Sequence, residues 1–152
     1  IKRKFIFIRL EMVSICKIFR FEAAHAIHHY PGKCAHIHGH SYELHVTVQA
    51  KQPFDNFIDG LGIIIDFKEL KALVQNEVIE TLDHKLILSK AYLSETKGQF
   101  SHDELVVFDV EPTAENLLLF LRMQIISALP EHVRLHSLKL WETRDSYAEW
   151  LA

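Results

Sequence analysis

Two alternating runs that terminate in histidine constrain this chain more than any other feature. In the first, Val13, Ile15, Lys17, Phe19, Phe21, Ala23 and His25 share one parity. In the second, His38 and His40 flank Gly39, and Tyr42, Leu44, Val46 and Val48 then alternate with Ser41, Glu43, His45 and Thr47. A period of two is that of a half-buried strand. His25 therefore ends one strand facing the way its apolar neighbours face, and His38 and His40 open a second strand with both rings on one side. Residues two apart stand roughly 6.5–7 Å apart along a strand, so imidazoles leaning toward each other can share a metal ion at ~2.0–2.1 Å per bond. Gly39 removes a side chain where something must approach closely. If the strands pair as a hairpin, three imidazoles meet. Three histidines with no evident fourth protein ligand are the donor set of a catalytic zinc, which keeps a position open for water or substrate. Any one of them alone reads as a surface histidine; the spacing of the trio reverses that.

The segment from Phe21 to Tyr42 holds six of the eleven histidines and one of the two cysteines. Cys34, four residues before His38, reads in two ways. Beside imidazoles and a metal, its thiol would serve as base or nucleophile; as a fourth ligand it would close the site and make it structural. Cys16 and Cys34 make no disulfide framework, which points to a reducing compartment, the cytoplasm by default. A net charge of −3 gives no basic footprint, so no nucleic-acid partner is expected. No run approaches the ~18 apolar residues of a membrane span, and Arg9 and Glu11 interrupt any leader-like apolar stretch. The size and apolar content suit a single domain over 1–152, with residues 1–11 as an extension.

After the hairpin, Pro53 to Gly62 is rich in turn residues. Asp66 caps a helix in which Phe67, Leu70, Leu73, Val74, Val78 and Ile79 recur at three- and four-residue steps, ending near Thr81. Ser89 to Asp103 is polar and reads as a loop insertion. Leu105 to Val110 is a buried strand. Thr113 caps a second helix carrying Leu117, Leu118, Leu119, Phe120, Leu121, Ile125 and Ile126, apolar enough to imply burial on most sides. Val133 to Thr143 is a last strand. Without βαβ alternation this order predicts an α+β domain, an antiparallel sheet with helices on one face.

Two further groups can carry chemistry. Asp83 and His84 are adjacent: a carboxylate that fixes the imidazole tautomer makes a proton donor tuned near neutrality, although a histidine at a helix end also suits the helix dipole. Glu142, at the end of the last strand, either faces a pocket and accepts two hydrogen bonds from the N–H/NH₂ edge of a heterocycle, or is a solvated charge.

Together these pieces resemble one family. Phe21-Glu22-Ala23-Ala24-His25, Cys-x-x-x-His-Gly-His-x-Tyr from Cys34 to Tyr42, Gly62 to Phe67 before a helix, Leu82-Asp83-His84, Pro112 to Leu117 and Trp141-Glu142-Thr143 stand in the order seen in the 6-pyruvoyl-tetrahydropterin and 6-carboxytetrahydropterin synthases. The resemblance runs from about Met12 to Thr143. It implies a tunnelling fold: a four-stranded antiparallel sheet with two helices on one face, closing into a barrel in a homohexamer, a dimer of trimers with active sites between subunits. It further implies Zn2+ on His25, His38 and His40, Cys34 as base, Asp83 and His84 as its partner dyad, and Glu142 as pterin anchor remote from the metal. Thr113 and Ala114 would line the pterin pocket. The Cys-x-x-x-His-Gly-His spacing is similar to the bacterial 6-carboxytetrahydropterin synthases of queuosine biosynthesis. The substrate so implied is 7,8-dihydroneopterin triphosphate, a pterin triphosphate, and the product 6-carboxytetrahydropterin. The 6-pyruvoyl reaction, which keeps the side chain, and a non-catalytic zinc-stabilised pterin-binding oligomer are the alternatives. The chain departs from the family at Ser41, where Asn is common, in the polar stretch from Ser89 to Asp103, and before Met12.

Overall fold

The computed structural model describes residues 12–54, 56–96, 98, 100–101 and 103–152; the extension expected over residues 1–11 lies outside them. The hairpin is its centre. β1 (Ser14–His25) and β2 (His38–Ala50) pair antiparallel from Ser14↔Gln49 to His25↔His38. That register sets Phe19 opposite Leu44, Phe21 opposite Tyr42 and Ala23 opposite His40. All except His40 are buried, because the shared parity turns them toward the helices. Cys16, on the other parity, is exposed.

The long helices cover that face. Asp66 accepts the Lys68 amide at 2.6 Å and caps α1 (Phe67–Val74). The helix widens through a π-helical turn (Gln75–Ile79) and ends in α2 (Glu80–Leu82). Leu70, Val74, Val78, Ile79 and Leu82 are buried. Thr113 caps α4 (Ala114–Ala128), its hydroxyl accepting the Asn116 amide at 3.3 Å. Leu117, Leu118, Leu121 and Ile125 of α4 join the same core as Leu138 and Leu140 of β5 (Val133–Trp141). Burial of α4 is one-sided, contrary to the expectation of burial on most sides: Leu119, Met123 and Ile126 are exposed on its outer face.

The sheet differs from the expected four antiparallel strands. Among the described residues it has six, in the order β4-β3-β1-β2-β5-β6. β5 extends β2 antiparallel, and β6 (Tyr147–Leu151) follows β5 as a hairpin. On the other edge, β3 (Lys85–Ser89) lies parallel to β1, and β4 (Leu105–Phe108) parallel to β3. Parallel neighbours need a crossover. The helical run α1–α2 returns the chain for β3, and α3 (Lys90–Glu95) lies in the connection to β4. The stretch expected to be loop thus contains a helix whose cap, Ser89, accepts the Tyr92 amide at 3.0 Å. A βαβ unit was concealed there. Ile87 and Leu88 are both buried although they point to opposite faces, as in a strand covered on both sides.

Candidate metal centre and active site

The hairpin register brings the three histidines together. His25 and His38 are direct partners and His40 is next along the same face, with ring centroids 4.6 Å apart for His25–His38, 5.2 Å for His25–His40 and 4.9 Å for His38–His40. One ring nitrogen from each lies within 4.8 Å of the other two. Outer partners fix two of the rings. The Nδ1 of His25 lies 2.6 Å from the Pro112 carbonyl and that of His38 lies 2.8 Å from the His36 carbonyl. A carbonyl only accepts, so each Nδ1 carries the proton and each Nε2 is left with a lone pair, the arrangement found behind metal-bound imidazoles. The Nε2 atoms of His25 and His40 are shielded from solvent and have no hydrogen-bond partner. Buried nitrogens without partners are uncommon. The trio fits a divalent ion such as zinc, which would satisfy them.

Glu142 enters the same site. Trp141 pairs with Glu43, so the next residue continues opposite Tyr42, on the parity of Leu140 and the histidines. Its Oε1 lies 3.5 Å from His25 Nε2 and 3.8 Å from His40 Nε2, and accepts from the Tyr42 hydroxyl at 3.5 Å. The carboxylate is therefore beside the histidines, and the expected remoteness from them does not hold. Burial, with the Glu142 charge adding to it, raises the Tyr42 pKa, so the phenol stays protonated as donor. Sequence reasoning missed Tyr42 as a site residue, although its parity with His38 and His40 was the available signal.

Burial also lowers the pKa values of His25 and His40, against the opposing pull of the Pro112 carbonyl on His25 and of Glu142 on both. The folded, metal-free chain then holds these rings neutral at a pH where the unfolded chain, with an ordinary value near 6.5, takes up protons. The stability they contribute is present above about pH 6.5 and is lost as pH falls through and below it. After chelator treatment, the Tm should be lower at pH 5.5 than at pH 7.5, and His40→Ala should shrink the difference. A Tm equal at the two values would contradict this.

The remaining candidates occupy two other places. Cys34 lies in a 3-10 turn (Lys33–Ala35) of the β1–β2 loop, half-buried, its carbonyl holding the Ile27 amide at 2.8 Å. It is not part of the group of mutually close ligand atoms. Asp83 and His84 follow α2. The Glu22 amide donates to Asp83 at 2.9 Å and holds its carboxyl below the usual range. The His84 amide donates to the Glu22 carbonyl at 2.6 Å, and His84 Nδ1 lies 3.0 Å from the Asp83 carboxylate. His84 takes a left-handed φ of 59°, a conformation uncommon for a residue with a Cβ. His84 lines a cleft of about 390 Å3 with Glu22, Ser41, Lys85, Glu104 and His40 of the trio. Ser41 donates to Glu22 across the hairpin at 2.8 Å, and both are on the parity opposite to the histidines. The trio and Glu142 thus share one parity of the hairpin, while the dyad is held at Glu22, on the other parity, beside a cleft that reaches His40. Thr113 follows Pro112, whose carbonyl holds His25, and its own hydroxyl is engaged by the Asn116 amide as the helix cap.

Comparison with known proteins shows what the chain resembles. A family model described as 6-pyruvoyl tetrahydropterin synthase matches residues 14–151. A 6-carboxy-5,6,7,8-tetrahydropterin synthase of Rickettsia bellii is 33% identical over 142 residues, covering 91% of this chain and 99% of that protein. One of Synechocystis is 32% identical, covering 93% and 95%. Among solved structures, a 6-pyruvoyltetrahydropterin synthase of Plasmodium vivax superposes with a TM-score of 0.74 at 20% identity, covering 92% of this chain and 97% of that one. At that identity the likeness speaks for the fold.

Proposed function

The chain belongs to the 6-pyruvoyl tetrahydropterin synthase family, and from that premise we propose that it is a zinc-dependent lyase that converts 7,8-dihydroneopterin triphosphate and water into 6-carboxy-5,6,7,8-tetrahydropterin, acetaldehyde and triphosphate. The observation that carries the proposal is the convergence of His25, His38 and His40, with Nδ1 of two held by carbonyls and Nε2 of two buried without partners. The names of the relatives at 30% identity and above support the 6-carboxy product over the 6-pyruvoyl one.

Zinc on the three Nε2 atoms would supply a Lewis acid for the substrate's side-chain hydroxyls and for the negative charge that builds as a proton leaves carbon. The chain's own groups do the rest. Glu142 accepts the pterin's N–H and amino hydrogens, with the Tyr42 hydroxyl steadying the carboxylate. Thr113 and Ala114, at the start of α4, line the pterin pocket. The Cys34 thiolate takes the proton from carbon. Asp83 orients His84, which delivers protons as triphosphate departs. Because the dyad is held at Glu22, on the parity opposite to the trio, we assign the dyad at each centre to a neighbouring subunit, in a cytoplasmic homohexamer built as a dimer of trimers.

Incubating the purified protein with 7,8-dihydroneopterin triphosphate and identifying the products tests this directly. Acetaldehyde and 6-carboxytetrahydropterin in equal amounts are expected. A 6-pyruvoyl product without acetaldehyde would transfer the chain to the other reaction of its family. Bound, unaltered pterin would make it a binding protein.

A further inference from the structure

The β1–β2 loop carries a second convergence of ligand atoms, in which the trio takes no part. His28, His29 and Glu95 each place one ligand atom within 4.8 Å of the other two. The Nε2 atoms of His28 and His29 approach the same carboxylate oxygen of Glu95, at 3.2 and 3.3 Å, and the two rings lie 3.9 Å apart between centroids. Several contacts build this arrangement. The His28 amide donates to Glu111 at 2.6 Å. The His28 ring meets the Tyr92 ring edge-on at 5.7 Å, and Glu95 is the last residue of α3. His29 has a φ of 57°, a left-handed conformation that most residues avoid. The side chain of His28 is only 13% exposed, and its Nε2 is shielded from water without a hydrogen-bond partner. Two imidazole nitrogens that converge on one carboxylate oxygen at 3.2 and 3.3 Å, one of them shielded from water and short of good hydrogen-bond geometry, leave a gap that a cation bonded to all three groups would fill.

We propose that His28, His29 and Glu95 form a second divalent-cation site, distinct from the histidine trio, that clamps the β1–β2 loop onto α3. Two imidazoles and a carboxylate are a borderline donor set suited to zinc and its first-row neighbours, with the remaining coordination left to water. His29 and Glu95 are 74% and 57% exposed, so the ion exchanges more readily than one held by the trio. Occupancy bears on the active-site loop, since Ile27, just before His28, is hydrogen-bonded to the Cys34 carbonyl.

Full-length protein stripped with a chelator and reloaded with Zn2+ alone should bind two ions per chain, one weaker. His29→Ala and Glu95→Gln should each lose the weaker ion and keep the tighter one, whereas His38→Ala should lose the tighter one. Both substituted side chains are largely solvent-exposed, so the variants are expected to fold, and wild-type circular dichroism would verify that. A single ion in the wild type, lost in His38→Ala, would overturn the proposal. So would two ions that persist in both His29→Ala and Glu95→Gln. Neither result depends on turnover of any pterin.

Discussion

His38→Ala is expected to abolish both metal retention and turnover at the trio. Among the described residues the mutually close donors at this site are three histidines, without Glu142, so two imidazoles would remain. Loss of an outer partner of a metal-bound histidine commonly costs ~10–100-fold in affinity or activity, and loss of the ligand itself should exceed that. The fold should survive, since His38 is at the start of β2, half-buried, beyond the apolar core that begins at Tyr42. Metal content after dialysis, measured beside the rate of triphosphate release, checks the expectation. A variant that retains the tight ion and full rate would place the chemistry elsewhere.

Cys34→Ala should separate chemistry from coordination. If the thiolate is the base, kcat falls by ~10²–10⁴, the range for removing a positioned acid or base, while the tight ion remains. The structure favours this outcome because Cys34 is outside the ligand group that His25, His38 and His40 form. Stopped assays with the metal-loaded variant would show pterin bound and unconverted. Loss of the ion along with activity would instead make Cys34 a ligand.

The parts of the fold legible from sequence were those with long periodic patterns or a chemical cap. β1 and β2 run for 12 and 13 residues, and their alternation alone brought out the histidine trio. Asp66 and Thr113 marked the starts of α1 and α4 through side chains that accept amide hydrogens. β3 and β6 are five residues each, too short for a period to emerge from composition, and β3 lacks alternation because both faces are covered. With β3 unread, the crossover through α3 could not be read either, and the sheet was expected to be wholly antiparallel. At the site, the imidazoles were legible but their supports were not. The Pro112 and His36 carbonyls belong to the backbone, which every residue possesses. Glu142 was recognisable as a strand-end carboxylate, yet its position beside the histidines depends on the register of β5 on β2, a pairing across nearly a hundred residues that no local pattern encodes.

The central claim is an open metal centre made by three histidines. X-ray absorption at the zinc edge, on His29→Ala protein carrying one ion per chain, tests it most directly. The account predicts a shell of nitrogen and oxygen only, at ~2.0–2.1 Å, with no sulfur. A sulfur scatterer at ~2.3 Å would mean that Cys34 closes the site, and would contradict both the open centre and the assignment of that thiol as base.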